Sequence, residues 1–375
     1  MKNILSTQQA LMDKQFDALI VTSPINIFYL TGFSGLSPTE REAILVVKKN
    51  KSTLITARLY QQEAQKLASS TLEIKIANER NEYESLIKES LQIGLPAEAF
   101  LTSKALASDV VKVGFEASNL TFAEYKNYKK YALPNKFAPT KDLIENLRMN
   151  KSKEELQNIQ KAQIISQNAF EILIKTIKIG QTEIEISDKL TIIIKSLGAN
   201  SLAFESIIAS GPNSALPHHK IGNRKIKKGE VLLLDFGAKY QDYCADLSRT
   251  VFIGRAKDNQ RKIYDLVLLA QQKAIAKIKN KIKAKSIHLA VENIFEKENL
   301  KDHFIHSLGH GIGLEVHEKP SLSKKSKDIL KNNMIFSVEP GLYFPWGGVR
   351  IEDLVIIKNG IPQIIGKNSS FIELA

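Results

Sequence analysis

At 375 residues, with 43% hydrophobic and 25% charged residues, the chain has the balance of a globular protein and the length of two domains. The net charge of +13 invites a nucleic-acid or anionic-membrane reading, yet only nine of the 53 basic residues are arginine. The lysines also spread along predicted helix surfaces, with Lys273, Lys277, Lys281 and Lys285 in one i, i+4 row of the kind a solvated face carries, so nucleic acid is disfavoured as a partner. One cysteine, Cys244, rules out an intrachain disulfide. The N-terminus shows no apolar signal core, and no stretch nears the roughly 18–20 apolar residues that span a bilayer. These features predict a cytoplasmic protein with no membrane partner.

The first part alternates strand-like and helix-like pieces. Asp17 to Thr22 reads as a strand closed by Pro24, and Ala43–Val47 and Thr53–Thr56 as two more around a lysine-rich turn. Arg58 to Leu67 reads as a helix. Alternation of this kind predicts an α/β domain. Pro134 and Pro139 bracket a non-periodic stretch, which places a boundary between residues 136 and 137. Beyond it, Ser152-Lys153-Glu154-Glu155 is a capping box, followed at helical spacing by Leu156, Ile159, Ala162, Phe170, Leu173 and Ile177. A second box, Thr182 to Glu185, opens a helix that Gly198 ends. Short β-type runs follow at Val231–Phe236, Val251–Ile253, Met334–Val338 and Val349–Ile357. The second domain, 137–375, is therefore expected to be α+β.

Three neighbourhoods hold acids and histidines where a plain fold would avoid them. Asp235 follows the apolar Leu232-Leu233-Leu234, and Asp246 comes eleven residues later; a hairpin between them would turn both carboxylates to one point. Either aspartate alone also suits a turn cap. Three of the seven histidines, His306, His310 and His317, fall within twelve residues, among glycines that let the backbone approach other groups closely. Glu339 ends a strand at Pro340-Gly341, and Glu352 interrupts an apolar run, where an inward carboxylate needs a partner. Arg350, two residues away on the same face, could be that partner.

Charge arithmetic favours one assembly. Asp235, Asp246, Glu339 and Glu352 carry four negative charges and would repel or take up protons together, whereas two divalent cations neutralise them and His310 completes one sphere. An oxygen-rich set with one imidazole suits Mn²⁺, with Co²⁺ or Zn²⁺ as alternatives, and not a thiolate-type structural zinc.

The segments Leu234-Asp235-Phe236-Gly237, Ala245 to Thr250, His310 to His317, Val338-Glu339-Pro340-Gly341 and Val349 to Asp353 resemble the pita-bread metallopeptidases. Within that family they are most similar to Xaa-Pro aminopeptidases and Xaa-Pro dipeptidases (prolidases). The first domain, 1–136, resembles the creatinase-like α/β domain more weakly, through Phe28 to Phe33 and Leu54 to Arg58. The resemblance implies that 137–375 is a pita-bread catalytic domain in which Asp246 and Glu352 bridge two ions, Asp235 binds one, and His310 and Glu339 bind the other. It implies hydrolysis ahead of proline in peptides carrying proline second, with water acidified by the metals and Glu339 shuttling a proton. His218 matches a histidine near the scissile bond, His317 one that steadies the oxyanion, and His306 and Arg350 residues that orient substrate. It also implies a homodimer.

The expected activity is an Xaa-Pro aminopeptidase, with an Xaa-Pro dipeptidase as the alternative and a non-catalytic pita-bread binding protein as the reading from another class. One departure stands out: His219 follows His218 where relatives usually have a small residue, so two imidazoles compete for the inward position. Cys244 reads as a small buried residue, and Thr250 as a hydrogen-bond donor to a ligand carboxylate.

Overall fold

The computed structural model describes residues 2–37, 40–91, 111–132, 136–367 and 370–374. Two units emerge, Met1–Arg148 and Met149–Ala375. The division lies past the expected 136/137 boundary because Lys136–Thr140 is not a linker. It pairs in parallel with Lys112–Glu116 as the last strand of the first unit's sheet. Pro139 is tolerated there because an edge strand needs no inward ladder donor at every residue. Pro134 lies outside the described residues.

The first unit is a six-stranded mixed sheet in the order Leu72–Ala77, Ser52–Ala57, Ala43–Lys48, Ala18–Val21, Lys112–Glu116, Lys136–Thr140. Its central strand Ala18–Val21 is buried along its whole length, as expected for strands covered on both faces. The helix Pro24–Thr31 begins with Ser23 accepting from the Asn26 N–H and Pro24 in the first turn, and ends at Gly32 with φ 78°. The helix expected at Arg58–Leu67 is shorter, a 3₁₀ turn at Arg58–Tyr60 followed by Gln61–Gln65.

In the second unit both predicted capping boxes form. Ser152 opens the helix Lys153–Leu173, and Thr182 opens Glu183–Ser196, after which Gly198 turns at φ 92°. The first of these helices buries Ile159, Ala162, Ile165 and Phe170. Two sheets carry the site. One orders Glu373–Leu374, Leu247–Ile253, Val231–Phe236 and Ile207–Ser210; the other orders Glu318–Leu322, Gly309–Gly311, Ile335–Val338, Asp353–Lys358 and Ile361–Ile364. With the helices of the same unit they make the pita-bread fold.

Two expectations fail locally. The lysine row is not one helical face: Asp258–Lys277 stops at Ile278, which is extended, Lys281 sits at φ 66°, and a new helix starts at Ala284. The run Val349–Ile357 is two strands, Gly347–Arg350 and Asp353–Lys358, parted at Ile351-Glu352. The interruption falls on the carboxylate that has other work.

Candidate metal centre

Asp235 is the penultimate residue of the strand Val231–Phe236 and faces Ser248 in the antiparallel partner Leu247–Ile253. Between them Ala238–Tyr240 and Tyr243–Cys244 form a small hairpin through Gln241 and Asp242, at φ 48° and 65°, the positive values a tight hairpin turn needs. That return delivers Asp246 to the start of the second strand, so the expected hairpin is present.

His310 is the middle of the strand Gly309–Gly311. A Cβ on Gly309 would lie 2.0 Å from the Ser337 carbonyl oxygen, and one on Gly311 2.1 Å from that of Lys319, so no side chain fits on either flank. The His310 amide donates to Ser337 Oγ at 3.0 Å and its Nδ1 to the Gly311 carbonyl at 3.1 Å. Nε2 is thereby aimed at the acids, 3.2 Å from Glu339 Oε1 and 3.6 Å from Asp246 Oδ2.

Asp246, His310 and Glu352 each offer a ligand atom, all within 4.8 Å of one another. Asp246 Oδ1 and Glu352 Oε1 are buried with no hydrogen-bond partner among the described residues. Buried acceptors are almost always satisfied, so two orphaned oxygens beside an imidazole fit a cation better than they fit a closed protein network. Asp235 and Glu339 line the same cavity but are held by other groups. Arg350 Nη2 donates to Asp235 Oδ2, and Ser337 Oγ donates to Glu339 Oε1 at 2.9 Å.

Electrostatics agrees. Burial, then the neighbouring carboxylates of Glu352, Asp235 and Glu339, pushes Asp246 well above the ordinary carboxylate range. Burial, then Glu339 and Asp235, does the same to Glu352. Burial opposes ionisation of Glu339 too, but the His310 hydrogen bond overrides it and holds the carboxyl at about 2. Burial likewise disfavours the His310 imidazolium, yet Glu339 raises it to about 9. The protein alone therefore has too many acids in too small a space, which divalent charge would relieve.

The cavity is about 550 Å³, with Phe204, Ile207, Pro217 and Val316 supplying apolar wall and His218, His306 and His317 polar wall. The His317 ring lies 4.2 Å, centre to centre, from that of His310. His306 donates through Nδ1 to the Ser307 carbonyl and accepts at Nε2 from Tyr343 at 2.9 Å. Burial keeps His306 below its ordinary pKa, and burial followed by His310 does so for His317.

Arg350 does not pair with Glu352. It spans Asp235, Tyr343 Oη at 2.9 Å and Ser248 Oγ at 2.8 Å, all buried. Ser248 in turn donates to Glu352 Oε2 at 2.8 Å. That is the carboxylate contact expected of Thr250, whose hydroxyl instead bonds the Arg350 carbonyl and amide. Thr250 is two residues farther along the strand, one pair beyond reach. Tyr343, Ser248 and Ser337 went unnoticed in the sequence because a hydroxyl beside a charged motif carries no pattern of its own. Cys244 is buried, and burial pushes its thiol up to about 12.

The competition between His218 and His219 is resolved by the fold. His219 Nε2 is 2.9 Å from Glu183 Oε2, whereas His218 lines the cavity.

Residues 157–359 match the family model described as metallopeptidase family M24. The chain belongs to that family. Residues 4–150 match the creatinase/prolidase N-terminal domain, a stretch that ends two residues past the structural division. An Xaa-Pro dipeptidase of Pyrococcus furiosus is 34% identical over 367 residues, covering 97% of this chain and 98% of its own. Among solved structures, an Xaa-Pro dipeptidase from Bacillus anthracis superposes with a TM-score of 0.88 at 32% identity, covering 100% and 99% of the two chains. An X-Pro aminopeptidase from Thermotoga maritima gives 0.82 at 28%, covering 97% and 99%. As an M24 metallopeptidase the chain is a hydrolase that works with divalent metal. No helix among the described residues is long and apolar enough to cross a membrane.

Proposed function

We propose that this M24 metallopeptidase is an Xaa-Pro dipeptidase, releasing proline from dipeptides that carry it second. The observation that supports a hydrolytic centre is the pair of orphaned oxygens on Asp246 and Glu352 beside His310. The choice of dipeptide over longer substrate leans on relatives of near-equal length named as Xaa-Pro dipeptidases. They favour this reading over the aminopeptidase expected from the motifs.

Asp246, Glu352 and His310 would hold divalent metal, with Asp235 and Glu339 completing the set, and Mn²⁺ is the ion their oxygen-rich chemistry suits. Bound there, such ions supply the positive charge that acidifies water and polarises the scissile carbonyl. The chain's own groups do the rest. Glu339, ionised at rest, takes a proton from the attacking water and passes it to the departing proline nitrogen, a tertiary amide nitrogen that must be protonated to leave. His317 and His218, on the cavity wall, donate to the developing oxyanion and hold the peptide. Arg350 donates to Asp235 and opposes the burial that raises its carboxyl, and His306, neutral and steadied by Tyr343, shapes the proline side.

The second reading is the Xaa-Pro aminopeptidase, favoured by the Thermotoga maritima neighbour. Release rates from Xaa-Pro and Xaa-Pro-Xaa peptides after Mn²⁺ loading separate the two. Cleavage of the dipeptides alone is expected; faster release from the tripeptides would transfer the assignment to the aminopeptidase.

A further inference from the structure

His218 lines the cavity, yet its ring makes no hydrogen bond among the described residues. Its position depends on the backbone turn that carries it. That turn is closed by the His219 amide donating to the Leu216 carbonyl at 3.1 Å, and its far side is tied down by the His219 ring.

The tie is built around Glu183, the first residue of the helix Glu183–Ser196 and wholly buried. Its Oε1 accepts from the Ser210 amide and hydroxyl, both at 2.8 Å, and from Asn213 Nδ2 at 3.0 Å. Its Oε2 accepts from His219 Nε2 at 2.9 Å and from the Gly222 amide at 3.3 Å. Asn213 Nδ2 also lies 3.2 Å from His219 Nε2, but two donors cannot bond each other. The Asn213 amide therefore serves Glu183 Oε1, and the proton on Nε2 points at Oε2. A buried carboxylate with charge-assisted bonds is a rigid anchor, and helix N-termini favour negative charge.

We propose that His219 is a positioning residue, fastening the Leu216–His219 turn to buried Glu183 so that His218 meets the substrate. A small residue at this position would leave the turn held by backbone bonds alone. The inference rests on the peptidase reading for its effect on rate, but not for the anchor itself.

A double-mutant cycle tests it with wild type, His218→Ala, His219→Phe and the double variant on a Leu-Pro substrate, with metal content measured in each. His219→Phe fills the ring's volume without the donor and should lower kcat/KM about tenfold, within the loss that small misplacements near a reacting group cause. His219→Gln, which keeps a donor toward Glu183, should restore most of it. In the His218→Ala background His219→Phe should cost nothing further. Losses that multiply, or a His219→Phe variant as active as wild type, would overturn the proposal. Hydrogen exchange of residues 216–222 in the metal-free proteins gives a reading that needs no catalysis. Faster exchange is expected in His219→Phe than in wild type, and equal exchange overturns the anchor even if no Xaa-Pro peptide is cleaved. A wild type inactive on all such peptides would instead refute the peptidase reading and leave the exchange result to decide the anchor.

Discussion

Buried acids in the two units, Glu116 in the first and Asp246 and Glu352 in the second, sit in equally dry surroundings and are treated in opposite ways. In the first unit, Glu116 Oε2 accepts from the Thr22 and Ser23 amides at 2.6 and 2.8 Å, and Oε1 accepts from Asn26 Nδ2 at 2.6 Å. Asn26 is itself held by Arg148 and Glu145. Nothing is left over, and the carboxylate knits Ala18–Val21, the turn after it and the helix Pro24–Thr31 together. In the second unit, Asp246 and Glu352 each leave an oxygen with no partner, while Arg350, Ser248 and Ser337 serve the acids around them. Burial alone does not mark a functional acid. The mark is an acceptor that the protein surrounds and declines to satisfy.

The contrast can be broken by experiment. The largest effect is expected from Asp246→Ala, which should remove metal and peptidase activity together; wild-type metal content by elemental analysis would show that the orphaned oxygen is not a ligand. Next, His317→Ala should keep its metal and lose about 10²–10³-fold in kcat, the usual cost of one oxyanion donor. A proportional loss of metal would make His317 a ligand instead.

Glu116→Ala should do the reverse of Asp246→Ala. It strands the Thr22 and Ser23 amides in a dry site and should destabilise by about 3 kcal/mol in urea unfolding, with metal content unchanged. A neutral result would mean that water can replace the carboxylate, and the first unit's acid would then not be structural.

The smallest effect is in the pH dependence of the metal-free protein. The His310 imidazolium, raised to about 9 from an ordinary 6.5, stabilises fully below 6.5 and loses that contribution as pH rises through about 9. Asp246 and Glu352, raised in the folded state, likewise lose stabilisation as pH rises through their folded values. Glu339, held at about 2, contributes above its ordinary 4.5 and is lost only in strong acid. The metal-free protein should therefore melt at lower temperature as pH rises from 6.5 to 9. Saturating Mn²⁺, which binds the unprotonated ligands, should remove or invert that slope, and its stabilisation should grow with pH. A metal-free melting temperature that climbs over the same range would contradict the site's electrostatics.

Much of the molecule was legible in the residues. Capping boxes at Ser152 and Thr182 formed because their hydrogen bonds close within four residues, and the β-runs around Asp235 and Asp246 paired because strands buried along their whole length must bond their backbones to a neighbour. The four acids and His310 were visible as charges in the wrong places. Distance-dependent outcomes were not. Whether Arg350 would choose Glu352 or Asp235, whether Thr250 or Ser248 would reach the carboxylate, and which of His218 and His219 would face the cavity depended on strands far apart in sequence. The edge strand Lys136–Thr140 was hidden for the same reason, since Pro139 reads locally as a breaker and only the neighbouring strand makes it an edge. Sequence by itself determined which groups must be hidden or neutralised, because that is a matter of residue chemistry and short-range bonding. The tertiary structure decided who neutralises whom, because hydrogen bonds and ion pairs select among rivals by tenths of an ångström, and the fold alone sets those distances.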